Sequence, residues 1–135
     1  HLDEKVARLH LDKLGVKPGA AVALLGITAE TFLAQLRERT RDFAPLRVKK
    51  NLDFIFLSAE SHQELRLLER LRGYLKSNGA IWVVSTKGKQ ARIKDLDVIA
   101  AAKQAGLVDN KVVSFSDTHT ALKLVIPVAL RARET

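Results

Sequence analysis

The sequence has no cysteine among its 135 residues. That excludes a disulfide framework, a thiolate zinc site and a cysteine nucleophile, and it suits a reducing compartment, so a cytoplasmic location is expected. Histidine is scarce as well, with four copies. His1, His10, His62 and His119 form no His-x-x-x-His or His-Glu-x-x-His spacing, so no metal site is expected. No apolar run approaches the roughly 20 residues of a membrane span, and no membrane association is expected. The opening His1-Leu2-Asp3-Glu4-Lys5 is charged and does not read as a secretory leader; it lacks a methionine, so residues upstream of it are expected. There is no internal repeat, low-complexity segment or linker, and residues 1–135 read as one domain.

What is present is ordinary for a folded chain: 47% hydrophobic and 28% charged residues, enough to build a real core. Lys and Arg total 23 against 15 Asp and Glu, a net charge of +8. That excess favours anionic partners. The densest basic stretch is Arg37, Arg39, Arg41, Arg47, Lys49 and Lys50, diluted by Glu38 and Asp42. A reader of single-stranded nucleic acid would want exposed aromatics among those charges. The aromatics here fall on apolar strands and helix faces, so an anionic small molecule or a protein partner ranks above nucleic acid.

The chain is organised around Lys17-Pro18-Gly19-Ala20-Ala21-Val22-Ala23-Leu24-Leu25-Gly26-Ile27-Thr28. A Pro-Gly turn leads into a strand over 20–26, apolar on both faces and so covered on both sides, with a glycine at its carboxyl end. Residues 1–15 before it carry Leu2, Val6, Leu9 and Leu14 at helical spacing and stop at Gly15. Thr28 is placed to cap a helix that runs to about Thr40, with Phe32, Leu33 and Leu36 inward. Pro45 separates that helix from a weak edge strand over 46–49. Leu52–Ser58 is a buried strand. Ser61-His62-Gln63-Glu64 reads as a capping box. It opens a helix with Leu65, Leu68, Leu71 and Leu75 inward, ended by Asn78-Gly79. Strand 80–85 follows, then the basic loop 86–92. Asp95 would cap a helix with Leu96, Ile99, Ala102 and Ala105 inward. Strands 111–116 and 122–128 are too close for a parallel crossover and form an antiparallel hairpin. Residues 129–135 make a polar tail. The fold class is α/β: a three-layer α/β/α Rossmann-like sandwich, with a mostly parallel sheet of about six strands closed by a C-terminal antiparallel hairpin.

In such a sheet ligands bind outside the carboxyl ends of the strands, which here gather Gly26-Ile27-Thr28, Ser58-Ala59-Glu60-Ser61, Ser85-Thr86-Lys87-Gly88-Lys89 and Ser116-Asp117-Thr118-His119. There the candidates for a binding site are Gly26, Thr28, Ser85, Lys87, Gly88, Lys89, Asp117 and His119. Lys87-Gly88-Lys89 offers amides around a glycine and two ammonium groups for a phosphate, or else a solvated loop. Asp117 and His119 could act as an acid–base pair, or serve the turn that contains them. No serine sits in a nucleophile elbow, so no catalytic residue is assigned.

Two resemblances follow from these residues. The helix ending Leu75-Lys76-Ser77-Asn78-Gly79, the strand Ala80-Ile81-Trp82-Val83-Val84 and the terminal hairpin resemble the second half of a class I S-adenosylmethionine-dependent methyltransferase. That likeness implies the strand order weak strand, first strand, Phe54 strand, Trp82 strand, last strand, Lys111 strand, with only the last antiparallel. Leu14-Gly15-Val16-Lys17-Pro18-Gly19, Val22 to Gly26, Trp82-Val83 to Lys87, Asn110 to Val113 and Leu122-Lys123 resemble a family of small bacterial proteins of unknown function. The methyltransferase likeness implies a cofactor site that these residues do not supply. Ile27, Thr28 and Ala29 follow Gly26 where a glycine-rich turn would admit S-adenosylmethionine. Lys49, Lys50 and Asn51 stand where an acid would hold its ribose. No cofactor is expected, and a non-catalytic binding or regulatory domain is the first reading. An anionic-ligand or nucleotide-binding protein at the Lys87–Lys89 and Asp117–His119 rim is the alternative, and a nucleic-acid-associated basic protein a further one.

Overall fold

A computed structural model describes residues 11–40, 43–45 and 51–130. In chain order its elements are β1 (Val22–Leu25), α1 (Glu30–Arg39), β2 (Phe43–Pro45), β3 (Leu52–Ser58), α2 (His62–Leu65), α3 (Leu67–Arg72), β4 (Leu75–Thr86), a 3-10 turn (Gly88–Gln90), α4 (Asp95–Gln104), β5 (Val108–Ser114), β6 (His119–Val125) and a final 3-10 turn (Val128–Leu130). The strands form one open, mixed sheet in the order β2-β1-β3-β4-β6-β5. The pairings of β1 with β2, β1 with β3 and β3 with β4 are parallel; β6 runs antiparallel to both β4 and β5.

Because side chains alternate along a strand, the sheet divides the core in two. Ile55, Leu57, Ile81, Val83, Leu122 and Leu124 pack with Leu65, Leu68 and Leu71 of α2–α3 and Val98 and Ala102 of α4. Phe56, Trp82, Val84 and Ala121 face the other way, onto Leu11, Leu14 and Val16 and onto Phe32 and Leu36 of α1. These are the three layers. Trp82 is fully buried, and its indole Nε1 donates to the Leu14 carbonyl at 3.0 Å. That bond satisfies the ring's one donor and ties the segment before β1 to the sheet.

The local chemistry departs from the sequence expectations at six places. The helix after Ser61 does not reach Gly79: it breaks at Arg66 and ends at Arg72, and Leu75 is the first residue of a 12-residue strand. Gly79 lies inside that strand, beside a register shift between Leu52 and Phe54 of β3. A Cβ there would sit 2.8 Å from the Leu52 carbonyl oxygen and 3.0 Å from that of Asp53. Close backbone approach, not helix termination, explains the glycine. Edge strand β2 falls at Phe43–Pro45, ahead of the expected 46–49, which lie outside the described residues. Pro45 ends that strand and pairs with Leu24, as an edge position allows. Helix α1 begins after Ala29 with no side-chain cap, so Thr28 does not cap it. Helix α4 is preceded by Lys94, whose amide donates to the Asp97 carboxylate at 2.8 Å; Asp95 is its first residue rather than its cap. Its inner stripe is Val98, Ala102 and Ala105, while Leu96 is 74% exposed and Ile99 only half-buried. The hairpin is displaced: β6 starts at His119 and stops at Val125, before Pro127, and the turn is 115–118.

The capping box at Ser61 forms in a shifted version. Ser61 Oγ accepts from the Glu64 amide at 3.2 Å, and Glu64 reaches back to the Glu60 amide at 2.8 Å. Most of the helix expected over 1–15, the basic residues Arg41, Arg47, Lys49 and Lys50, and the tail from 131 on lie outside the described residues. Among the described residues no helix is long and apolar enough to cross a membrane.

Candidate functional site at the carboxyl edge of the sheet

The parallel strands β1, β3 and β4 end together, and the 115–118 turn folds over them. Between them lies a cleft of about 230 Å3 lined by Gly26, Ile27, Thr28, Ala29, Ser58, Val84, Phe115, Ser116, Thr118 and His119. Gly26 is left-handed, with φ +74°, and a Cβ on it would stand 3.2 Å from Ser58 Cβ. The glycine therefore serves the turn and the close approach of β1 to β3.

The polar side of the cleft is a small hydrogen-bonded network. Ser116 Oγ accepts from the amides of Thr118 and His119 at 3.3 and 3.1 Å. Thr118 Oγ1 lies 2.7 Å from His119 Nδ1. Behind the ring, Glu60 accepts from the Thr86 amide at 3.0 Å and from its hydroxyl at 2.8 Å, which leaves its carboxylate 3.9 Å from His119 Nε2. His119 stands opposite Thr86 across the β4–β6 ladder, so strand register brings the acid and the imidazole together.

Of the eight residues singled out from sequence, Gly26, Thr28 and His119 line this cleft. The other five do not. Ser85 is 4% exposed and shares its strand face with Ile81 and Val83, toward the α2–α4 layer. Lys87 is folded onto the hairpin: its Nζ donates to Ser114 Oγ at 2.9 Å and its amide to the Thr118 carbonyl at 3.0 Å. Gly88 and Lys89 are exposed in the 3-10 turn that follows. Asp117 is exposed in the turn, and the acid facing His119 is Glu60 rather than Asp117. Ser58, Glu60, Ser116 and Thr118 belong to the stretches that the strand-end rule gathers at this edge, but they are not among the eight candidates.

Beside the cleft is a second, apolar groove of about 250 Å3, lined by Leu11, Ala29, Thr31, Phe32, Gln35, Phe115 and Ser116. Phe32 packs against Phe56 and Phe115 with ring centroids 5.1 and 4.9 Å apart. A third depression, about 270 Å3, lies between α2–α3 and α4 on the far face. There His62 Nε2 is 3.4 Å from Asp97, and the Asp97 carboxyl is held below its usual range, first by the Lys94 amide and then by His62. Among the described residues no group of three or more His, Cys, Asp or Glu is placed to hold a metal ion. Lys123, opposite Lys111 and over the Trp82 ring at 5.9 Å, has its pKa lowered by burial and by the Lys111 charge.

The frame that carries the cleft is that of methyltransferases. A SAM-dependent methyltransferase from Aquifex aeolicus superposes with a TM-score of 0.67 at 17% identity, covering 89% of each chain. A precorrin-6y C5,15-methyltransferase from Geobacter metallireducens gives 0.63 at 9% identity over 90% of this chain and 87% of that one. Magnesium protoporphyrin IX methyltransferase from Synechocystis, with SAM bound, gives 0.57 at 9% identity over 93% and 78%. At such identities the likeness is one of fold. No curated protein matches in sequence. Residues 62–128 match the model of a family described as a protein of unknown function, DUF3052. That stretch contains Trp82-Val83, Lys87 and Leu122-Lys123, whereas Leu14 to Gly19 and Val22 to Gly26 precede it. Over residues 62–128 the chain is thus similar to a family of unknown function, and its fold is similar to that of class I methyltransferases.

Proposed function

We propose that this chain is a binding or regulatory domain that keeps the methyltransferase-like frame and does not transfer methyl groups. The observation that carries the reading is the turn after β1. Its one glycine is used against Ser58, and Ile27, Thr28 and Ala29 line a cleft of about 230 Å3. The side chains of Ile27, Thr28 and Ala29 stand where a glycine-rich turn would let the backbone approach a nucleoside with an amino-acid arm. A second support comes from sequence. Strand β2 ends at Pro45, and Leu46-Arg47-Val48-Lys49-Lys50 follows with no acid to take ribose hydroxyls. The rim of Lys87, Gly88 and Lys89 is a weaker candidate for an anion site, because Lys87 is engaged with Ser114. Equilibrium dialysis with radiolabelled S-adenosylmethionine and S-adenosylhomocysteine tests the reading. The expected result is no saturable uptake up to about 1 mM, a binding free energy weaker than about 4 kcal/mol. Stoichiometric micromolar binding of either compound refutes it.

A further inference from the structure

We propose that the polar cleft and the apolar groove beside it are two halves of one site for a small amphiphilic carboxylate. Its ring or short acyl body would lie against Leu11, Phe32 and Phe115, and its carboxylate would meet Thr118 and His119. The inference rests on the reading above, that the cleft does not hold S-adenosylmethionine.

Three observations support the pairing. The cavities are contiguous: Ala29, Phe115 and Ser116 line both. Neither alone, at about 250 and 230 Å3, reaches the usual size of a small-molecule site, but the two joined do. Their chemistry is divided. The groove has a floor of Leu11, Phe32 and Phe115, all buried, while the cleft supplies the hydroxyls of Ser58, Ser116 and Thr118 and the His119 imidazole. An apolar body with a few convergent polar groups at one end is what fixes a ligand's orientation.

The sign of the head group follows from the donors. Hydroxyls and an imidazole can all donate to an anion, and helix α1 begins at this junction with no side-chain cap on its first turn. The acids nearby are Glu30, which opens α1, Asp117, exposed in the turn between Ser116 and Thr118, and Glu60, whose carboxylate is engaged by the Thr86 amide and hydroxyl. A net charge of +8 also favours an anionic ligand.

The probe is 4-phenylbutyrate, titrated into the full-length chain and followed by amide NMR shifts. Saturable shifts are expected at Phe32, Phe115, Thr118 and His119, with 4-phenylbutyramide binding at least tenfold more weakly. Ala29→Trp, at an exposed position lining both cavities, should abolish the shifts. Thr118→Val with His119→Gln, at positions outside the core, should reduce acid binding to the level of the amide. The proposal is overturned if those amides do not move, if the amide binds as tightly as the acid, or if Ala29→Trp leaves binding intact. A parallel titration with S-adenosylmethionine separates the failures. If neither compound binds, this inference alone falls; if S-adenosylmethionine fills the cleft, the preceding reading falls with it.

Discussion

Replacing Glu60 with alanine tests the core of the candidate site. The carboxylate accepts from the Thr86 amide at 3.1 and 3.0 Å and from its hydroxyl at 2.8 Å. Hydrogen bonds to a charged group each contribute roughly 1.5–3 kcal/mol. Thr86 is half-buried, so water can reach its freed donors and the loss falls short of the sum. The His119 contact adds little: the two side chains are 36% and 24% exposed, and pairs of that kind contribute less than about 1 kcal/mol. The net expectation for Glu60→Ala is a loss of about 1.5–2.5 kcal/mol in urea unfolding, with m unchanged. Glu60→Gln keeps one acceptor oxygen and should lose about half as much. In a double-mutant cycle, Thr86→Val should couple to Glu60→Ala by about 0.5–1 kcal/mol, since the pair shares the hydroxyl bond. A Glu60→Ala variant within about 0.3 kcal/mol of the parent, or a cycle with no coupling, would refute the assignment of Glu60 as the anchor of this edge.

Other perturbations separate the observed packing from the alternatives. Gly79→Ala should cost about 2–3 kcal/mol in the same assay, because the new methyl meets β3 backbone that cannot swing aside. Val98→Ala should cost about 1.5–3 kcal/mol, and Leu96→Ala should stay within about 0.5 kcal/mol; the reverse order would restore the helix face expected from sequence. Lys111→Glu should stabilise by about 0.5 kcal/mol at neutral pH by replacing a like-charge cross-strand pair with an opposite one. The pH course of that gain follows from Lys123. A lysine whose folded pKa is lowered carries its full penalty below that folded value and sheds it as pH rises toward the ordinary value. The gain should therefore be complete at pH 7 and fade at alkaline pH as Lys123 deprotonates; a gain that grows with pH would contradict the cause assigned to the shift.

Much of the frame could be read from residue patterns because the patterns were redundant. Val22–Leu25, Leu52–Ser58 and the Ala80–Ser85 run each join an apolar stretch to flanking turn or cap residues, and each is a strand. Errors gathered where a pattern had two solutions. Leu65, Leu68, Leu71 and Leu75 satisfy helical spacing, yet a stretch of that length also fits two short helical turns and the start of a strand. The contact with β3 decides between them. In α4, Leu96 and Val98 stand two residues apart and so on nearly opposite sides of the helix, and the stripe expected through Leu96, Ile99, Ala102 and Ala105 wraps from one side to the other. Which side turns inward depends on where the sheet lies.

The chain by itself determined the α/β class, the alternation of buried strands with helices, the antiparallel hairpin and which loops follow the strands' carboxyl ends. These follow from local apolar periodicity and turn chemistry, which act over a few residues. Only the tertiary structure decided which polar side chains meet. Glu60 and His119 are 59 positions apart by their numbering, and the β4–β6 register, through Thr86, is what brings them within 3.9 Å. Lys87 and Asp117 carried the stronger local signals, but one is bound to Ser114 and the other faces solvent. A pairing set by strand register leaves no trace in the spacing of the residues it joins.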